Sequence, residues 1–404
     1  MRSVVAGVCV AVAALAAGTH AQTMTLIPGF RAQGVSADGR VVVGYRVNSE
    51  WAGVWRRETG LVLVPVPGAI ARTRADAVSD DGSTVVGTVF SSHSFPLRAW
   101  VWRGQSDFSF FEYAGGNSTR ATCVSGDGRV VGGIVVLPPA NHYQSIVWTA
   151  DEGLRLVPPG ENYATWLHAL STDGLRGVGS GSSGIGTWGV NWPSTYTWCV
   201  NLGMIPGYRG GVATAMNSDG TAVVGKFNLV GSPGSHAMVW TAAEGVSTVG
   251  TIQGLEFAEL SAVTRSGALA GGRAGTDPSS AGIAMVWERG VGLMTAEEYV
   301  AARGVVVTHP LSSIEGMSAD GRVIVGWSGC CNGYVIELPG CGSADFDGDG
   351  DTATDADIEA FFRCLAGECC AACWSGGADF DGDGDTATDA DIESFFRVLA
   401  GGGC

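Results

Sequence analysis

The sequence has little of what reactive chemistry usually needs. Its six His are scattered singly, and none stands in a His-Glu-x-x-His or comparable metal-ligand spacing. No Gly-rich loop follows a strand-like run and opens a helix, so the 63 glycines read as turn and repeat glycines, not as a phosphate cradle. Beyond the N-terminal segment no stretch is apolar enough to cross a bilayer, which excludes a later membrane span. Basic residues are outnumbered, 23 Lys and Arg against 39 Asp and Glu, for a net charge of −16. That balance excludes nucleic acid as a natural ligand. The acidity is also local. From Cys341 onward fifteen Asp and Glu stand against two Arg, a net of −13, which leaves about −3 for everything before.

What is present begins with an export signal over residues 1–21. Arg2 supplies the positive start, Val4 to Ala17 form an uncharged apolar run, and Thr19-His20-Ala21 resembles a small-residue cleavage site. The expected mature chain starts at Gln22, outside the cytoplasm, as a secreted, extracellular or cell-surface protein. Cysteine usage agrees. Cys9 leaves with the signal, and eight of the remaining ten lie between Cys330 and Cys404, where a small domain gains most from disulfides. Cys123 takes a repeat position held elsewhere by Ala or Gly and reads as a small buried thiol. Cys199 has no assignment.

An internal repeat organises residues 22–340. Gly34-Val-Ser-Ala-Asp-Gly39 followed by Val41-Val-Val-Gly44 returns six more times, with the last Gly of the phrase at 82, 128, 174, 220, 267 and 321. The intervals of 43 to 54 residues match a four-stranded propeller blade. Asp-Gly between β-prone runs marks a hairpin. A Trp-bearing strand follows, at Trp55, Trp102, Trp148, Trp198, Trp240 and Trp287, with Tyr334 in the last copy; this column reads as packing between blades. The seventh copy stops after its third strand, at Glu337-Leu338-Pro339-Gly340. The orphan run Met24-Thr-Leu-Ile-Pro28 resembles a fourth strand, so it is expected to complete the last blade and close the ring. The fold expected is mainly β, a seven-bladed β-propeller followed by a small helical domain.

The Ser-x-Asp-Gly, Val-Val-Gly and Val-Trp pattern over residues 24–340 resembles the bacterial extracellular HAF-type repeat family. The resemblance includes the longer last interval, where Thr295 to Arg303 suit a short helix, and it implies an extracellular repeat protein without an assigned activity. Ser-x-Asp-Gly is also similar to the Asp box of sialidase propellers. The aromatic end of that box and an obvious arginine triad are absent, so sialidase activity is not expected.

The acidic tail contains two nearly identical segments, Ala344 to Glu359 and Ala378 to Glu393, 34 residues apart. Asp345, Asp347 and Asp349 take positions one, three and five of an EF-hand loop, with Gly350 at the sharp turn; Asp379, Asp381, Asp383 and Gly384 repeat them. Calcium takes six to eight hard oxygens, and clustered carboxylates that repel one another supply them. Asp351 and Asp385 stand at position seven, where the backbone carbonyl is the usual ligand. Position twelve is Ala356 or Ala390. A loop one residue longer, closed by Asp357 and Asp391, is preferred, with Asp355 and Asp389 as the alternative. A helix follows each loop. Ile358, Phe361, Phe362 and Leu365 form an apolar face, matched by Ile392, Phe395, Phe396 and Leu399. Thr354 with Asp357, and Thr388 with Asp391, suit capping pairs.

This loop–helix–linker–loop–helix order over residues 341–404 resembles the GC-type dockerin family. The resemblance implies two bound calcium ions, a Cys341–Cys404 bridge worth up to about 4 kcal/mol, and docking onto a cohesin-like or other extracellular receptor. Cys364, Cys369, Cys370 and Cys373 then pair among themselves or with Cys330 and Cys331, and a zinc cluster is the weaker reading.

The sequence carries no catalytic motif. The expected function is a noncatalytic propeller for binding or structure, with a carbohydrate or protein ligand, anchored or assembled through the calcium module. The alternative is an extracellular glycosidase or lyase carrying a dockerin. Trp166, Trp188, Trp192 and Tyr196 in the irregular fourth copy suit sugar stacking, although packing explains them more simply. Asp151, Glu152 and Glu161 are candidate carboxylates that nothing in the sequence brings together.

Overall fold

The structure, a computed structural model, describes residues 24–68, 72–90, 97–104, 107–139, 142–159, 164–183, 186–192, 200–279, 282–329, 331–338, 342–349, 351–370, 377–378, 380 and 386–400. The proposed signal and Cys199, Cys330, Cys341, Cys373 and Cys404 lie outside these residues. So do Asp379, Asp381, Asp383 and Asp385.

The chain opens with strand β1 (Met24–Pro28) and continues in four-stranded units, one for each sequence copy. The first two are β2 (Phe30–Val35), β3 (Val42–Arg46), β4 (Ala52–Arg56) and β5 (Gly60–Leu63), then β6 (Thr73–Val78), β7 (Val85–Val89), β8 (Arg98–Trp102) and β9 (Phe108–Phe111). The third and fourth are β10 (Ser118–Val124), β11 (Val131–Leu137), β12 (His142–Thr149) and β13 (Gly153–Leu156), then β14 (Ala164–Leu170), β15 (Gly177–Ser183), β16 (Gly186–Trp192) and β17 (Val200–Asn201). The fifth and sixth are β18 (Tyr208–Met216), β19 (Ala222–Leu229), β20 (Ser235–Thr241) and β21 (Gly245–Gly250), then β22 (Phe257–Val263), β23 (Leu269–Gly275), β24 (Ile283–Glu288) and β25 (Gly292–Thr295). After helix α1 (Ala296–Ala301), capped by Thr295 and Glu298, the last copy supplies β26 (Ser313–Met317), β27 (Val323–Ser328) and β28 (Asn332–Glu337).

The repeated Ser-x-Asp-Gly phrase folds as a hydrogen-bonded turn between the first two strands of each unit. In the first copy Ser36 Oγ donates to Asp38 Oδ1 at 2.6 Å and accepts from Val41 N at 3.0 Å, and Gly39 adopts φ +74°. Ser79, Ser125, Ser171 and Ser318 repeat the serine bonds. Neighbouring turns are stitched together through the backbone. Ala37 N donates to Asp80 O, Asp80 N to Gly126 O, Asp127 N to Thr172 O and Thr172 N to Ser218 O, at 2.8 to 3.0 Å. Arg265 N then donates to Ala319 O and Ala319 N to Ala37 O, which returns the series from the last copy to the first. Between units, apolar faces interdigitate, as where Val43 and Val54 meet Ala75, Val85 and Trp100.

Strand β1 pairs antiparallel to β28, from Met24 opposite Ile336 to Pro28 opposite Asn332, so the N-terminal run completes the sheet of the last copy. Ile27 is buried there beside Phe30, Trp55, Val325 and Val335. The strands form five four-stranded sheets and one of eight strands. The eight-stranded sheet joins the fifth and sixth copies through a single parallel pairing of Ser235 with Phe257. The reason is local. At three other junctions a hydroxyl of the next unit receives the N–H, Thr73 from Ala52, Ser118 from Leu97 and Thr165 from Ser145. Here Ser235 N donates instead to Glu256 O at 3.0 Å, beside Gly234, whose Cβ would meet that oxygen at 2.5 Å.

In the acidic tail, α2 (Asp355–Leu365) and α3 (Asp389–Leu399) each begin at a capping box, Thr354 with Asp357 and Thr388 with Asp391. Phe361 and Phe395 stack at 3.9 Å in a core completed by Phe346 and Phe380 from the loops. Here the structure corrects the expected apolar face: Phe362 and Phe396 are 44% and 45% exposed. The loop phenylalanines fill the space they were expected to occupy.

Candidate functional site

The first strand of every unit carries a β-bulge at the same place. The bulged residues are Gln33, Asp76, Thr122, His168, Thr214, Ser261 and Glu315, each six positions before the turn Gly. A bulge re-aims a side chain out of the ladder, and these seven line one cavity of about 330 Å³. Next to it a smaller cavity of about 120 Å³ is walled by the turn residues, Ala37, Asp80, Gly126, Thr172, Ser218, Arg265 and Ala319. At this end Thr172 Oγ1 donates to Asp80 Oδ2 at 2.8 Å across Gly126, where a Cβ would meet Asp80 Oδ2 at 2.2 Å. The turn end is therefore constricted.

The seven divide into two kinds. Thr122 Oγ1 donates to Leu167 O at 2.7 Å, Ser261 Oγ to Ile314 O at 2.5 Å, and Thr214 Oγ1 to Leu260 O. These hydroxyls fasten one unit to the residue before the next bulge. Gln33, Asp76, His168 and Glu315 make no such bond and remain as the cavity's functional groups. Asp76 Oδ2 accepts from Thr88 at 3.2 Å, and His168 Nε2 lies 3.2 Å from Ser180 Oγ. Glu315 Oε1 accepts from Trp327 Nε1 at 2.5 Å and from Ser313. Burial pushes the Asp76 carboxyl up to about 6, against Arg120, the Thr88 hydrogen bond and Arg74. It also raises Glu315, opposed by its hydrogen bonds and Arg31. His168 is pushed down to about 4 by burial, with Lys226 adding and Glu259 opposing.

These shifts oppose each other in pH. The unfolded His takes up a proton near pH 6.5 and the folded one only near 4, so His168 costs stability as pH falls through that window. Asp76 ionises near 6 in the fold but near 3.8 unfolded, so it costs stability as pH rises from about 4 to about 6. Asp76→Asn removes the second slope alone. The variant gains on the wild type between pH 4 and pH 7, at most about 3 kcal/mol by linkage and nearer 1–2 kcal/mol because cavity water screens the group. Urea midpoints at pH 4.5 and 7 measure this; an equal difference at both pH values contradicts it.

Sequence reasoning missed this ring. A signal was present, a polar residue between small or apolar neighbours six positions before each turn Gly, as in Ala32-Gln33-Gly34 and Leu167-His168-Ala169. Asp151 and Glu152 lie exposed between β12 and β13, and Glu161 and Tyr196 lie outside the described residues. Trp166 packs on Tyr143 at 5.3 Å, whereas the side chains of Trp188 and Trp192 are outside the description.

In the acidic tail the structure brings Asp345, Asp347 and Asp349 together, with carboxylate oxygens all within 4.8 Å. Desolvation and repulsion from Asp349, Asp357 and Asp345 raise Asp347. An oxygen-only, like-charged cluster fits a hard cation. Asp357 is not in this cluster. Its Oδ1 accepts from Phe346 N at 2.7 Å and its Oδ2 from Thr354 N and Oγ1 at 2.8 Å, so its buried carboxylate closes the loop by hydrogen bonds. Asp391 holds Thr388 in the same way. Asp355 and Asp389 are exposed first residues of their helices, and Asp351 donates its N–H to Asp349. Both loops turn at a left-handed alanine, Ala353 and Ala387 at φ 58°, bonded back to Ala344 and Ala378. Cys364 and Cys369 form a disulfide, which removes these two thiols from a zinc cluster and points to an oxidising compartment. Cys331 and Cys370 are also disulfide-bonded. Cys123 is a free buried thiol, pushed up to about 12 by burial and so unreactive. No helix among the described residues is long and apolar enough to cross a membrane.

No protein-family profile matches the chain, and no curated protein does. Among solved structures, an oligogalacturonate lyase in complex with manganese is similar at 13% identity and TM-score 0.51, over 78% of this chain and 91% of that one. Virginiamycin B lyase from Staphylococcus aureus is similar at 12% identity and TM-score 0.51, over 78% and 99%. TolB from Acinetobacter baumannii matches over 64% of each chain at 11% identity and TM-score 0.46. At these identities the likeness to the two lyases concerns the scaffold alone: the chain is mainly β with a β-propeller-like fold.

Proposed function

We propose that the chain is a secreted, noncatalytic binding protein. In this reading its seven repeats form a seven-bladed propeller that takes a ligand through the central cavity. A C-terminal dockerin-like module holds two calcium ions and docks onto a cohesin-like or other extracellular receptor. The observation that carries the binding role is the convergence of one side chain from each copy on one cavity, with three hydroxyls spent on blade-to-blade bonds and four polar groups left facing the space. The Asp345, Asp347 and Asp349 cluster supports the metal, and the disulfide supports export.

A second reading, a polysaccharide-active glycosidase or lyase carrying a dockerin, draws on Asp76 and Glu315. They are two carboxyl groups in one cavity, both raised by burial. The fold shared with two proteins named as lyases supports it only as a scaffold. Incubating the mature chain with a panel of polysaccharides in calcium separates the readings. Retention of a polymer without chain cleavage is the expected result. New reducing ends or unsaturated products that disappear in Glu315→Gln would establish the enzyme.

A further inference from the structure

One layer beside the cavity is charged in a way the repeat does not require. Two residues before the bulge, the first three copies carry Arg31, Arg74 and Arg120, and the fourth carries Trp166; the other three have Val212, Glu259 and Ser313. Two residues along a strand is about 7 Å, which sets this layer on the side of the bulges away from the constricting turns. The guanidiniums are stacked on aromatic rings, Arg31 over Trp327 at 4.0 Å, Arg74 over Tyr45 at 4.4 Å and Arg120 over Phe90 at 5.7 Å. Each has a buried Nε–H without a hydrogen-bond partner in the protein. Arg74 is paired with Glu50 at 3.2 Å, whereas no carboxylate among the described residues lies within ion-pair distance of Arg31 or Arg120. Beside them Trp166 and Tyr143 form an aromatic pair, with Tyr143 38% exposed.

Resting on the binding role proposed above, we infer that this sector, beside the cavity on the side away from the turns, recognises a carboxylate-bearing saccharide, its carboxylate on Arg31 and Arg120 and a sugar face on the Trp166–Tyr143 pair. A stacked guanidinium loses little freedom on binding and pairs with a planar carboxylate through two parallel bonds. Buried N–H groups are costly to leave unpaired, so an acceptor placed there is favoured. Asp76 and Glu315 lie near the same arginines and oppose a doubly charged phosphate more strongly than a single carboxylate. Aromatic faces give a sugar ring its second contact.

The test is calorimetric titration of the calcium-loaded mature chain with D-glucuronate oligosaccharides, with matched neutral glucose oligosaccharides and with inorganic phosphate. Binding of the acidic sugar at least tenfold tighter than the neutral one is expected, weakening with salt and falling tenfold or more in Arg120→Gln and in Arg120→Lys, which keeps the charge but not the paired bonds. Trp166→Ala lowers affinity for the sugar without restoring the neutral one. Unfolding midpoints certify each variant, and Arg31→Gln serves if Arg120→Gln does not fold. Equal binding of both sugars, tighter binding of phosphate, insensitivity to the arginines, or no binding of the acidic sugar overturns the inference. Retention of a neutral polymer would still uphold the binding role, so the two fail separately.

Discussion

Starting the chain at Phe30 is expected to leave a protein that aggregates and unfolds at low urea. Removing Met24–Pro28 strips β28 of its partner and exposes its edge, a template for association with a second chain. It also uncovers the apolar cluster that Met24 and Leu26 cover and the pocket filled by Ile27. Ile27 alone is 3% exposed, so Ile27→Ala is expected to cost about 2–5 kcal/mol. Met24 and Leu26 together add a comparable sum. Urea denaturation with light scattering measures both variants. A chain lacking residues 24–28 that stays monodisperse with an unchanged midpoint would show that closure by β1 contributes nothing.

The second large effect is expected in the acidic tail. Phe361 and Phe395 are fully buried and stacked on each other, so truncating either to alanine costs about 3–5 kcal/mol. A module of this size holds only a few kcal/mol in its core, so either change is expected to unfold it while the repeats stay folded. Phe362→Ala and Phe396→Ala, at half-exposed positions, are expected to cost under about 1 kcal/mol. Limited proteolysis and loss of helical circular dichroism report the difference. Equal sensitivity at buried and exposed positions would contradict the packing described here.

The period of the repeat, the turn chemistry of Ser36 to Gly39 and the orphan strand at Met24 were all legible in the sequence. Each is a local signal: a hydroxyl two residues before an aspartate, a glycine needing positive φ, an apolar run with no partner nearby. Helix α1 and both capping boxes were legible for the same reason. The ring of bulged residues was not, because a bulge is a property of pairing between two strands and leaves no fixed residue type. Gln33, Asp76, His168 and Glu315 share a position and no chemistry. Phe362 was misjudged because helical spacing cannot show that Phe346, from outside the helix, competes for the same space. Asp357 was expected as a metal ligand on loop length; the sequence did not show that its carboxylate also accepts from Thr354 and from the Phe346 and Asp347 N–H groups.

The measurement that tests the account most directly is a calcium titration of the mature chain by calorimetry, with helicity followed in parallel. Two ions per chain are predicted, binding no weaker than the millimolar range of extracellular modules, with one site lost when Asp345, Asp347 and Asp349 are changed together to alanine. No heat at millimolar calcium, or an undiminished stoichiometry in that variant, would contradict the metal assignment and with it the dockerin-like reading.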